Sequence, residues 1–83
     1  MRILYFAWLR ERVGLAEETV TPPSEVRDVA SLLAWLRSRG GVYETALADL
    51  SMVRVAVNQD YARPEDPVAA NDEVALFPPV TGG

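Results

Sequence analysis

Three of the side chains that often carry covalent chemistry in proteins, cysteine, histidine and lysine, are missing from this sequence. It contains no cysteine and no histidine, and its eight basic residues are all arginine. Thiolate nucleophiles, Ser/His/Asp and Cys/His catalysis and the usual zinc sites are therefore excluded. The acidic residues Glu17, Glu18, Asp66, Asp72 and Glu73 fall in predicted turns and strand edges, where charged groups are usually solvated. We assign none of them to acid–base catalysis, and we expect no metal site.

The sequence ends in a tail rich in proline and glycine, residues 78 to 83, and this composition taken alone favours an ordinary disordered chain end. An α-carboxylate has a pKa of about 3.5, so at neutral pH it is an anion that nucleophiles do not attack until it is activated. Glycine lacks a Cβ atom, so Gly82 and Gly83 fit a narrow channel and leave the terminal carbonyl unhindered. Pro78 and Pro79 lack an N–H group, so they end a sheet and hold the base of the tail extended. The tail, residues 78 to 83, spans at most roughly 20 Å when it is fully extended. A disordered chain end without a function would have the same composition.

The first of the elements that must position this tail is a strand over residues 2 to 9. The segment is apolar at nearly every position, which predicts a central strand covered on both faces. Its two faces are Ile3, Tyr5 and Ala7 on one side and Leu4, Phe6 and Trp8 on the other. A charged helical turn that ends at Gly14 leads to a second, shorter strand over residues 17 to 21. We expect the two strands to pair as in a hairpin.

One amphipathic helix follows. Asp28 is a good N-cap, and the apolar residues behind it repeat at helical spacing and form one stripe: Val29, Leu32, Leu33 and Leu36. Gly40 and Gly41 stop the helix. Residues 43 to 50 predict a further short helical turn.

Three more strands complete the domain. Residues 52 to 57 alternate between apolar and more polar positions, a short edge strand is expected near Tyr61, and the last strand covers residues 73 to 77. The single helix stripe can cover only one face of the sheet. The opposite face also carries apolar residues, so it needs a partner or remains exposed.

Length and charge limit the possible classes. A chain of 83 residues forms one domain, which we place at residues 1 to 77 with the tail at residues 78 to 83. The net charge of -4 gives no field that attracts phosphates, so we expect no nucleic-acid partner. No segment approaches the ~20 apolar residues of a membrane span, and no signal-peptide cleavage site follows the apolar first strand. We expect a cytoplasmic domain with no membrane contact.

Several motifs together resemble the MoaD/ThiS-like superfamily, to which the sulfur-carrier subunits of molybdopterin synthase belong. The motifs are Leu4-Tyr5-Phe6-Ala7 followed by Leu9-Arg10-Glu11, Val55-Ala56-Val57-Asn58-Gln59, Asp72-Glu73-Val74-Ala75, and the terminal Phe77-Pro78-Pro79-Val80-Thr81-Gly82-Gly83. Asn71 departs from the family, which often has glycine there, but asparagine also tolerates a left-handed turn. The resemblance extends along nearly the whole chain. It implies an α+β, ubiquitin-like β-grasp fold, with one main helix on one face of a mixed sheet of about five strands.

The resemblance also implies a sulfur carrier that is not an enzyme on its own. In that family a ubiquitin-activating-type adenylyltransferase uses ATP and magnesium to adenylate the terminal glycine, here Gly83. A sulfur donor such as a cysteine desulfurase then yields a thiocarboxylate. The sulfur passes to cyclic pyranopterin monophosphate on a large catalytic subunit during molybdenum cofactor biosynthesis, in a heterotetramer of two small and two large subunits. No cofactor is expected on this chain itself. Because the sequence lacks lysine, we add the hypothesis that its own side chains cannot capture the activated terminus.

The resemblance and the apolar faces together suggest residues that contact the large subunit: Phe6, Trp8, Arg10, Tyr61, Ala75 and Phe77. Ordinary core packing also explains the apolar ones, because periodicity does not say which face the helix covers. An exposed Arg10 is more often simply solvated. Three alternative functions stay open: a sulfur carrier for thiamine, cysteine or tRNA thiolation, a ubiquitin-like modifier joined to lysine, and a non-covalent interaction domain.

Overall fold

A computed structural model describes residues 1 to 79 of the chain. Its elements are β1 (Arg2–Tyr5), α1 (Ala7–Val13), β2 (Glu17–Thr19), α2 (Val29–Ser38), α3 (Val42–Ala46), a 3-10 turn (Leu50–Met52), β3 (Arg54–Val57), β4 (Asp60–Ala62) and β5 (Glu73–Phe77). The predicted tail residues Val80, Thr81, Gly82 and Gly83 lie outside the described residues. The division into a domain of residues 1 to 77 and a tail therefore stays a prediction.

The five strands form one mixed sheet in the order β2-β1-β5-β3-β4. β1 and β5 are parallel, and the other neighbouring pairs are antiparallel. β1 and β5 thus each have a neighbour on both sides, so the central position predicted for the first strand is confirmed. A mixed sheet of this order with one main helix on one face confirms the predicted β-grasp fold.

The main helix, α2, begins and packs as the sequence predicts. Asp28 Oδ1 accepts from the Ser31 N–H at 2.7 Å, and Ser31 Oγ accepts from the Asp28 N–H at 3.1 Å, which together form a capping box. The apolar stripe of α2 is buried in a core that also contains residues of three strands. These strand residues are Ile3, Tyr5, Val55, Val74 and Leu76. This packing covers one face of the sheet and leaves the other free of α2.

The prediction of a single strand over residues 2 to 9 is wrong. β1 ends at Tyr5, and α1 begins at Ala7, whose φ of 54° lies in the left-handed region. The helix forms because Leu9 and Val13, four residues apart, are then both buried on one side of it. Gly14 ends the helix in a left-handed conformation with its N–H bonded to Arg10 O at 2.9 Å.

The later turns follow the sequence more closely. Asn58 and Gln59, with φ of 51° and 72°, join β3 and β4 as a two-residue hairpin turn. The Asn58 side chain donates to Asp72 Oδ1 and accepts from the Glu73 N–H, both at 3.0 Å. These bonds fasten the hairpin to the start of β5. The helical turn predicted over residues 43 to 50 is present as α3, although it begins and ends earlier.

Candidate functional site at the open sheet face

The sheet face opposite α2 presents a row of apolar side chains across four strands. Leu4 pairs with Ala75, Ala75 with Ala56, and Ala56 with Tyr61. Register partners on neighbouring strands point to the same face, so these four side chains lie side by side. We call this surface the open face, because the described helices bury their apolar residues in the core on the other side.

Three aromatic residues lie at one end of the open face, and we call them the aromatic cluster: Phe6, Tyr61 and Phe77. The rings of Tyr61 and Phe77 have centroids 5.8 Å apart, tilted by 51°. The Phe6 N–H donates to Leu76 O at 3.0 Å, so the Phe6 backbone lies against the end of β5. Phe6 is 47% exposed and Tyr61 82% exposed. Exposed aromatic side chains on an apolar face, here with the Tyr61 and Phe77 rings in contact, are typical of protein interfaces.

The aromatic cluster lies at the end of the sheet from which the tail departs. β5 ends at Phe77, and Pro78 and Pro79 follow it. A proline has no N–H for the ladder, so the sheet stops where the tail begins. A partner that covers the aromatic cluster would therefore also meet the base of the tail.

The opposite end of the open face is charged. Arg2 Nε lies 2.8 Å from Glu17 Oε2, and Arg2 Nη2 lies 3.2 Å from Glu73 Oε1. Surface ion pairs of this kind contribute little to stability. These ion pairs make this end of the open face polar. The apolar part of the open face therefore lies at the other end, where the tail begins.

The structure brings together four of the six residues predicted to contact a partner. Tyr61, Ala75 and Phe77 lie on the open face by strand register, and the extended backbone of Phe6 continues the alternation of β1 onto the same face. Arg10 lies on the exposed side of α1, with its N–H bonded to Phe6 O at 3.4 Å, and so is close to the aromatic cluster.

Trp8 is not on the open face, contrary to the position predicted for it. It lies on α1, partly buried, with the Arg12 guanidinium 5.3 Å from its ring centroid. It lines a groove with Ala48 and Met52, which belong to the helical side of the molecule. Trp8 is absent from the open face because β1 ends at Tyr5. Phe6 is the last residue that continues the alternation of this strand.

Arg54 also lies beside the aromatic cluster, and no pattern in the sequence pointed to it. It is the register partner of Phe77 and is exposed. In the sequence it is only the polar member of an alternating strand. Its position beside the tail follows from the β3–β5 register, which the sequence pattern does not provide.

Glu18 is not solvated as the sequence analysis assumed. Its side chain is 13% exposed, and Oε2 accepts from the hydroxyl groups of Tyr5 and Tyr43, both at 2.7 Å. Oε1 accepts from Arg39 Nη1 at 3.1 Å. Burial alone would raise the pKa of Glu18, but these hydrogen bonds outweigh burial and lower it. Burial, followed by the bond to Glu18, raises the pKa of Tyr5. Because its neighbours already occupy this carboxylate, its role is structural.

The part of the chain that the structure describes shows neither a metal-binding cluster nor a membrane-spanning helix. Residues 1 to 79 contain no group of three acidic side chains that could hold a metal ion. None of the helices in that range is long and apolar enough to cross a membrane.

A β-grasp domain with an apolar open face beside the base of a diglycine tail defines a ubiquitin-like protein. The chain belongs to the ThiS family, which matches residues 3–83. It is 34% identical to the molybdopterin synthase sulfur carrier subunit of Chlamydomonas reinhardtii and 35% identical to that of Escherichia coli (strain K12). These alignments cover 100% of this chain and 98% and 99% of the relatives. The small archaeal modifier protein 1 of Haloferax volcanii is similar in structure, with a TM-score of 0.75 and 28% identity over 96% of this chain and 97% of that one. The predicted superfamily is confirmed.

Proposed function

We propose that this chain is the sulfur carrier subunit of molybdopterin synthase and that it carries sulfur as a thiocarboxylate on Gly83. The observation that carries the proposal is the identity of 34 to 35%, over nearly the full length of both chains, to two proteins of that name. The chain contributes a covalent co-substrate and no catalytic side chain. We place it in the cytoplasm together with the enzymes that activate it.

The chemistry begins with activation of an unreactive carboxylate. A Gly83 carboxylate oxygen attacks the α-phosphorus of ATP and displaces pyrophosphate, which gives an acyl-adenylate. The terminal sulfur of a persulfide then attacks the acyl carbon and AMP leaves, which gives an acyl disulfide. A thiol cleaves the S–S bond of this intermediate and releases the thiocarboxylate, while the thiol itself ends in a disulfide. The adenylyltransferase binds ATP and magnesium, and a cysteine desulfurase supplies the persulfide. The tail, residues 78 to 83, carries this group to cyclic pyranopterin monophosphate in the large subunit.

The open face is the surface that we assign to the large subunit. Its aromatic cluster is exposed, apolar and adjacent to the base of the tail. A specific interface buries about 800 Å² on each partner, and a few aromatic residues usually supply most of its energy. Docking here would aim the tail into the partner, because the tail leaves the sheet beside the aromatic cluster. Arg10 and Arg54 lie around the same end and suit acidic groups on that partner.

Intact-mass measurement tests the carrier function directly. The chain is incubated with ATP, magnesium, the adenylyltransferase and a sulfur source, and we expect the exchange of one oxygen for one sulfur at Gly83. Adding the large subunit and the cyclic precursor should then yield molybdopterin. A chain that lacks Gly83 is the control and should neither gain sulfur nor support product formation. Full product formation by that truncated chain would refute the proposal.

The likeness to small archaeal modifier protein 1 favours one second candidate, a modifier that is joined to other proteins. Both functions begin with the same adenylate, so they differ in the nucleophile that follows. When a lysate supplies the acceptor proteins, a modifier forms amide-linked adducts, which thiols do not cleave. Each adduct is heavier than the acceptor protein by the mass of this chain minus one water. A sulfur carrier for thiamine, cysteine or tRNA thiolation would gain sulfur but would not complement a loss of molybdopterin synthesis.

A further inference from the structure

Arg54 lies at the base of the tail on the open face. It is the register partner of Phe77, the last residue of β5, and its side chain is exposed. With Tyr61 and Phe77 it lines a depression of about 300 Å³. Neighbouring strands are about 4.8 Å apart, so Arg54 is one strand away from the point where the tail leaves the sheet.

The guanidinium group of Arg54 is held in place by backbone carbonyls. Its Nη1 donates to Ser51 O at 3.0 Å and to Val53 O at 3.3 Å. Within residues 1 to 79 it forms no ion pair, whereas Arg2 at the other end of the open face pairs with two glutamates. The base of the tail therefore has a positive charge that no described carboxylate neutralises.

The chain beyond Pro79 is long enough to bring Gly83 to position 54. Residues 80 to 83 span at most about 14 Å when extended. Position 54 lies one strand spacing from Phe77, two residues before Pro79. A nucleophile on the side chain at position 54 would thus be within reach of an activated Gly83 in the same molecule.

We propose that the cation at position 54 is a guanidinium because an amine there would consume the activated tail. This inference rests on the proposed activation of Gly83. An unprotonated lysine nitrogen would attack the acyl carbon, form an amide bond and expel AMP, while the proton of the nitrogen passes to water. The cyclised chain could carry no sulfur. Arginine stays protonated in proteins, so it keeps the charge at the docking surface without a nucleophilic electron pair.

A chemically activated chain tests this without the activating enzyme. Residues 1 to 83 are prepared with Gly83 as a thioester and with the Met1 amine acetylated, in wild-type form and as the variants Arg54→Lys and Arg37→Lys, so that the introduced lysine is the only amine. Arg37 is exposed on α2, in the layer on the other side of the sheet, so its variant adds the same amine away from the base of the tail. Each protein is incubated at mildly alkaline pH and followed by intact mass.

In the Arg54→Lys variant we expect the lysine to displace the thiol of the thioester and form an internal amide. The product is one water lighter than the free acid. The wild-type thioester should only hydrolyse. At about 10 µM chain, an effective concentration in the millimolar range makes capture at position 54 roughly 100-fold faster than capture between molecules. The rate should rise about tenfold per pH unit below the lysine pKa of about 10.4. Equal rates for the two lysine variants, or no amide in Arg54→Lys, would overturn the inference. Neither result bears on the proposed function, which the exchange of oxygen for sulfur tests separately.

Discussion

Replacing Glu18 should destabilise the fold far more than its position on a three-residue edge strand suggests. Glu18→Ala removes the acceptor of three hydrogen bonds at once. Tyr5 is 1% exposed, so its hydroxyl cannot turn to water, and an unsatisfied buried donor costs about 1 to 3 kcal/mol. The more accessible bonds from Tyr43 and Arg39 add roughly 1 kcal/mol. We therefore expect a loss of about 2 to 4 kcal/mol, a large part of the stability of a small domain.

The same network predicts how stability depends on pH. The hydrogen bonds to Glu18 lower its pKa in the folded state. Its contribution is therefore present above the unfolded-state pKa of about 4.3 and is lost as the pH falls through the lower, folded-state pKa. The pKa of Tyr5 is raised, chiefly by burial. Its contribution is present below the unfolded-state pKa of about 10 and is lost at higher pH, as the phenolate forms more readily in the unfolded chain.

Urea unfolding monitored by tryptophan fluorescence measures both effects. Titrations at pH 7 and at several values between pH 5 and 3 give the free energy of unfolding for the wild type, Glu18→Ala and Glu18→Gln. The acid-dependent loss should be smaller in Glu18→Gln, which has no carboxylate to protonate at this position. The neighbouring Glu17→Gln is the control, because Glu17 is 55% exposed and its ion pair with Arg2 contributes little. A Glu18→Ala variant within about 0.5 kcal/mol of wild type at pH 7 would refute the reasoning.

Two further predictions concern the aromatic cluster and the start of α1. Phe6→Asp should weaken binding of the large subunit at least about tenfold in a titration, whereas Val42→Asp, a residue on α3 with the same exposure of 47%, should not. Equal losses in both variants would contradict docking by the open face. Ala7→Val should cost about 1 to 2 kcal/mol, because a β-branched residue fits poorly at a φ of 54°. Ala7→Gly should match or slightly exceed the wild type in thermal unfolding, and a clear loss would show that the alanine methyl group matters more than the backbone.

The sequence predicted well those elements in which local and tertiary signals agree. α2 has an N-cap, an apolar stripe and a glycine stop, and all three features operate in the folded chain. β5 was predicted at its observed bounds because proline excludes any continuation after Phe77. The end of β1 was predicted wrongly, because the composition of the residues after Tyr5 suits a strand and a helix equally. The burial of Leu9 and Val13 decides for the helix, and that burial depends on contacts distant in sequence.

The candidate site was predicted in part for a related reason. Alternation along a strand placed Phe6, Ala75 and Phe77 on one face, as observed, but it also placed Trp8 there wrongly, because β1 ends before that residue. The place of Arg54 beside Phe77 depends on strand register, and the partners of Glu18 come from β1, from α3 and from the residue that follows α2. A polar residue in a short strand gives no sign of whether such partners exist.

The composition of the open face suggests how one surface can suit both a free domain and a bound one. Its central positions, Ala56 and Ala75, are small, so they expose little apolar area to water when no partner is present. The large rings of the aromatic cluster are gathered at the end beside the tail. Binding energy should therefore be concentrated where the tail must be aimed, and a partner that covers only the alanine centre would gain little. For this reason a partner that binds this surface tightly should also hold the base of the tail in a fixed direction.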